Sequence, residues 1–143
     1  MKRSQRGATA VEFALVFIIF MAFSLVILDV ARMLFTWNAA NEAARAGARY
    51  AVVCDNTGND ALVLAKMQAL LPQVQTIDVG WDPAGCNPTS CIGARVSITG
   101  LTYNFMSPMA GLANIGVIPM PSFATYMTRE DMRQDPNAGA ICP

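Results

Sequence analysis

The pattern of apolar and polar positions changes twice along the chain. From Ala8 to Leu28 the only polar residues are Thr9, Glu12 and Ser24, and neither Pro nor Gly interrupts. A bilayer is crossed by about 20 apolar residues in helix, and this span meets that length. Its densest part, Phe13 to Leu28, is apolar on every side. Ser24 is expected to place its hydroxyl on the carbonyl one turn back. Beyond Leu28 the pattern becomes one-sided: Val30, Leu34, Trp37, Ala40, Ala44, Ala48 and Ala51 recur at three- and four-residue steps, the period of an amphipathic helix. No Pro occurs between Ala8 and Val53. The two stretches therefore read as one helix of about 45 residues, roughly 65–70 Å long.

The second change follows Cys54. Asp55 to Asp60 is a run of turn formers and ends the long helix. With Asp60 as its expected N-cap, a short helix runs from Ala61 to Leu71, with Leu62, Ala65, Ala69 and Leu70 facing inward. Pro72 stops it. Apolar residues then alternate with polar ones. A first strand runs from Val74 to about Trp81, a Pro/Gly-rich loop from Asp82 to Gly93, and a second strand from Ala94 to Phe105 with a bulge at Gly100. Ser107 to Gly116 reads as a loop or short irregular helix. The third strand holds Phe123, Thr125 and Met127, and residues 129–143 read as irregular. Helices followed by strands make an α+β chain: a long N-terminal helix whose first half spans a membrane, a short helix, and a three-stranded antiparallel sheet.

Composition sharpens this. The chain is 54% hydrophobic and 14% charged, more apolar than a typical soluble domain, and the excess sits near the N-terminus. Ten basic residues balance ten acidic ones. Lys2, Arg3 and Arg6 precede the apolar span, which favours a cytoplasmic N-terminus and places the bulk of the chain on the far side of the membrane. The remainder is net acidic and offers no footprint for nucleic acid. A cleaved secretory signal would need a non-helical cleavage region after the apolar stretch; here the helical pattern continues instead.

The chain has no histidine, hence neither the commonest general base nor the commonest metal ligand. It also lacks C-x-x-C and a Gly-rich phosphate loop. No enzyme activity, cofactor or metal is expected. Asp78, Asp82, Glu130 and Asp131 read as solvated surface. The four cysteines, Cys54, Cys86, Cys91 and Cys142, suit an oxidising compartment. They allow three pairings. Cys86 and Cys91 flank a short turn and pair most easily, which leaves Cys54 for Cys142. Zinc and free thiols are the competing readings. Met106, Met109 and Met120 read as core filler or as a contact surface.

The residues around the start of the helix carry a resemblance. Gly7-Ala8-Thr9-Ala10-Val11-Glu12-Phe13, after a short basic leader, resembles a type IV prepilin processing site. Together with Ala39 to Ala51, which reads AANEAARAGARYA, it is similar to the TadE-like minor pilins. The resemblance covers residues 1–53 and implies a pilin-like fold. It also implies a division into leader 1–7, membrane and assembly helix 8–28 and extracytoplasmic domain 29–143. Cleavage after Gly7 would leave a free amine on Ala8. Glu12, one turn along, would guide assembly by neutralising the amine of a neighbouring subunit, with Phe13 beside it. Gly7 suits the cut because a residue without a side chain lets the backbone extend. The implied partners are a prepilin peptidase, other pilin subunits, the pilus assembly platform and inner-membrane lipid. The same features suit the related TadF-like minor pilins. A signal-anchored envelope protein that binds a partner and enters no filament is the alternative. The small residues from Ala39 to Gly47 reflect either helix propensity or close helix packing, against the chain's own sheet or against other pilin helices.

Overall fold

The structure, a computed structural model, describes residues 6–54, 58–87, 90–107, 111, 114, 116–129 and 142. Among the described residues the elements are, in order, α1 (Arg6–Val53), α2 (Asp60–Leu70), β1 (Thr76–Asp82), β2 (Gly93–Thr99), β3 (Thr102–Asn104), β4 (Val117–Pro119) and β5 (Phe123–Thr128). The class is the expected α+β, with a long first helix, a short second one and a three-stranded antiparallel sheet. The chain divides into two compact units, residues 1–34 with 104–118 and residues 35–103 with 119–143.

The three-stranded sheet has the order β1-β2-β5. β2 is its centre, pairing Val79 with Val96 on one side and Ile98 with Phe123 on the other. A central strand is covered on both edges, and here its Ala94, Val96 and Ile98 are buried. Edge strand β1 alternates exposed and half-buried residues, the two-residue period of a strand with one wet face. The core of this unit joins the sheet to small residues of α1 and to α2. Ala40, Ala43, Ala44, Ala48 and Ala51 are wholly buried with Val63, Met67, Val74 and Val96. Trp37 meets Phe123 edge-on, ring centres 4.9 Å apart.

Gly47 explains why that stretch of α1 is so poor in bulk. A methyl group on Gly47 would lie 2.5 Å from Met67 Sδ, so α2 reaches α1 only because the residue there has no side chain. The small-residue run therefore packs within its own chain.

Several sequence expectations need correction. The buried face of α2 is Val63 and Met67, whereas Leu62 and Leu70 are 40% and 55% exposed and Ala65 and Ala69 are exposed as well. Nearly every side of this helix is apolar, so hydrophobicity alone could not choose between faces; the gap over Gly47 chooses. The N-cap is Asn59, not Asp60. Val30, Leu34 and Trp37 stand 40–55% exposed. In that stretch the buried positions are Asp29 and Thr36, with Met33 half-buried. Gly100 does not bulge a continuous strand. Its φ of +69° turns the chain through the left-handed region, where glycine carries no steric cost. The stretch from Ala94 to Phe105 thereby splits into β2 and β3, and β3 pairs with the unanticipated β4 in a two-stranded sheet. The C-terminal stretch, Met109, Glu130 and Asp131 lie outside the described residues.

Candidate membrane and assembly helix

The first half of α1 is bare. Phe13, Ile18, Phe23 and Leu28 are 70, 64, 67 and 60% exposed, and no residue from Gly7 to Met21 is even half-buried. The helix forms because its residues satisfy their own backbone groups, as any segment in hydrocarbon must. Ser24 donates its hydroxyl to the Phe20 carbonyl at 2.9 Å, so the one hydroxyl in the core of the span is satisfied within the helix. The Phe13 and Phe17 rings lie 6.0 Å apart on one side. Large side chains on every face of an unburied helix leave a surface that water cannot solvate cheaply; apolar burial is worth roughly 25 cal/mol per Å². This helix is a candidate membrane span near the N-terminus, consistent with a single-pass membrane protein.

Gly7 and Ala8 lie in the first turns of α1 and are exposed. Gly7 is thus helical here rather than extended, and a side chain at that position would touch nothing within 4 Å. Helix propensity carried through Ala8, Ala10 and Val11 accounts for this. A protease would have to unwind about one turn to reach the Gly7–Ala8 bond. Glu12 and Phe13 are exposed on the same helix, with Glu12 one turn beyond Ala8, on the neighbouring side-chain position. Lys2 and Arg3 lie outside the described residues.

Residues 7–49 match the family model of TadE, TadE-like protein. No curated protein and no solved structure matches the chain. The TadE-like segment takes in the bare half of α1 and most of its buried small-residue run. It ends before the last turn of the helix and before the sheet.

At the end of the apolar span one carboxylate is buried. Asp29, 3% exposed, accepts backbone N–H bonds from Met106 at 3.1 Å and from Ser107 at 2.9 Å. The Ser107 hydroxyl, more than any other group, holds its pKa below the ordinary 3.8, with the two amides and the nearby Arg32 acting the same way and burial opposing them. A buried carboxylate is tolerable when hydrogen-bonded in this manner. Sequence reasoning missed Asp29. Its signal was an acid placed immediately after a membrane-length apolar run, where a solvated residue is the ordinary expectation.

The cysteines lie at disulfide distance in two pairs. Cys54 and Cys142 have Cα atoms 5.5 Å apart, and Cys86 and Cys91 have theirs 5.1 Å apart, both within the range disulfides adopt. Asp82 accepts a hydrogen bond from the Tyr126 hydroxyl at 3.2 Å, and Asp78 is exposed on β1. Met106 is 72% exposed, while Met120 packs half-buried on the core. A groove of about 400 Å³ between α1 and α2 is lined by Ala46, Arg49, Tyr50, Lys66, Ala69 and Leu70. The Lys66 ammonium stands 5.5 Å from the centre of the Tyr50 ring, a distance at which the ring face attracts a cation.

Proposed function

We propose that the chain is a minor pilin or pseudopilin that takes part in assembly of a tight-adherence (Tad/Flp) pilus, and that it is not an enzyme. The observation that carries this reading is the match of residues 7–49 to the TadE-like family on a helix whose first half is apolar all round and unburied. The chain is inserted as an inner-membrane precursor with its N-terminus cytoplasmic and its sheet outside. A prepilin peptidase cuts after Gly7. The new amine on Ala8 and the carboxylate of Glu12 then carry opposite charges one turn apart at a helix start, where a negative group is favoured. In an apolar bundle such charges are costly unless paired, so Glu12 sets register by pairing with the amine of a neighbouring subunit while Phe13 packs beside it.

The test is the mass of the N-terminus after co-expression with a prepilin peptidase. A mature chain beginning at Ala8 is expected. An intact leader, in cells where a known prepilin is cut, would overturn the reading in favour of a signal-anchored envelope protein.

A further inference from the structure

The helix-end carboxylate and the segment it holds point to a second membrane contact. We infer that residues 104–107 and 116–118 form an apolar arm, clamped to α1 by Asp29, that lies in the headgroup boundary of the bilayer beside the membrane span. The inference rests on the single-pass reading of α1.

The arm and the span belong to one compact unit. Asp29 directly follows Leu28, the last residue of the apolar run, so it stands about 1.5 Å further along the helix axis. The backbone nitrogens of Met106 and Ser107 lie 3.1 and 2.9 Å from its carboxylate. Whatever depth Asp29 has, the start of the arm shares it within a few ångströms. With Leu28 at the edge of the hydrocarbon, that depth is the headgroup layer, the region in which amphipathic surface elements settle about 5–10 Å deep.

The chemistry of the arm suits that place. From Val96 through Thr128 the sequence has no Asp, Glu, Lys or Arg, the residue types that ordinarily dominate a solvated surface. Met106 is 72% exposed, Val117 58% and Ile118 36%. These exposed apolar side chains lie on the segment that the Met106 and Ser107 amides tie to the end of the bare helix. The backbone of the arm is partly closed on itself, Phe105 donating to the Gly116 carbonyl at 3.0 Å, as a segment entering a low-dielectric layer requires. The clamp acts both ways: the amides satisfy a carboxylate at the membrane boundary, and the carboxylate fixes the arm against the helix. Because the arm has no cation, its insertion draws on apolar area and not on anionic lipid.

The test uses the full chain in phosphatidylcholine vesicles with Met106→Cys labelled by an environment-sensitive fluorophore, the unsubstituted chain serving as the labelling control. The expected result is blue-shifted emission, several-fold stronger quenching by lipid-borne nitroxide than by aqueous iodide, and no change when anionic lipid is added. Asp29→Ala should move the label toward water, whereas Asp29→Asn, which keeps one acceptor, should do so less. A chain that stays with the vesicles while its label is open to iodide and untouched by lipid quencher would overturn the arm and leave the span standing. Shielding that grows with protein-to-lipid ratio would overturn it in favour of a second copy covering the patch. A chain that does not partition into vesicles would remove the single-pass reading and the arm with it.

Discussion

The two halves of α1 distribute their side chains in opposite ways. From Ala8 to Leu28 large apolar residues are exposed, Phe13 and Phe23 at 70 and 67%. From Ala40 to Ala51 the buried positions are chiefly alanines, wholly enclosed, around Gly47. In an ordinary soluble fold the largest apolar residues are the ones taken inside. Here the chain buries its small residues and leaves the large ones out. One half of the helix is shaped to be approached closely by its own chain, and the other presents a greasy surface for which the described residues supply no cover. Small size assigns a residue to intramolecular packing, and the bulky uncharged residues are left on the candidate membrane span.

That contrast can be broken most severely at the cysteines. Replacing Cys54 and Cys142 by Ser opens a loop spanning 88 residues, for which the chain-entropy model gives about 4–5 kcal/mol. The expected outcome is loss of the cooperative unfolding transition of the sheet-bearing unit, followed by Trp37 and Trp81 fluorescence in mild detergent, with membrane partition unchanged. Next in size, Met67→Ala should cost about 3 kcal/mol, as for other buried methionines. Phe20→Ala should stay within about 0.5 kcal/mol, as for exposed positions. Equal effects from these two in denaturant titration would erase the distinction between the halves.

Gly47→Ala is smaller and more pointed. Alanine would gain about 1 kcal/mol of helix propensity, but its methyl would meet Met67 Sδ at 2.5 Å, and overpacking of this kind costs about 1–3 kcal/mol. A net loss near 1 kcal/mol is expected, turning into a gain when Met67→Ala is made in the same chain; a double-mutant cycle measures it. The smallest effect is on pH. The folded pKa of Asp29 is lowered, so its contribution to holding the arm is present above the ordinary carboxylate value and is lost as pH falls through the lower folded value. Hydrogen-exchange protection of the Met106 and Ser107 amides, corrected for intrinsic rate, should be flat from neutral pH down to about 4 and fall below that.

Much of this was legible in the sequence because it rests on runs and periods. The span from Ala8 to Leu28, the continuation to Val53, the break after Cys54 and strands near Thr76–Asp82 and Phe123–Thr128 all follow from apolar spacing and turn formers. What stayed hidden depends on which surfaces meet. The face of α2 was unreadable because Leu62, Val63, Met67 and Leu70 are all apolar, and only Gly47 on another helix selects Val63 and Met67. The split at Gly100 needed its backbone angle, and β4 is too short at three residues for periodicity to register. At the candidate site, Gly7, Ala8, Glu12 and Phe13 stood out through a motif, whereas Asp29 had none: its role depends on Met106 and Ser107, distant in sequence and brought to it by the fold.

The most direct measurement is alkaline carbonate extraction of membranes from cells making the full chain. Retention in the pellet, with release only by detergent, is the predicted result. A chain that carries residues 1–28 yet leaves the membrane in carbonate and remains soluble without detergent would contradict the reading of α1 as a rod built for lipid and for its own kind.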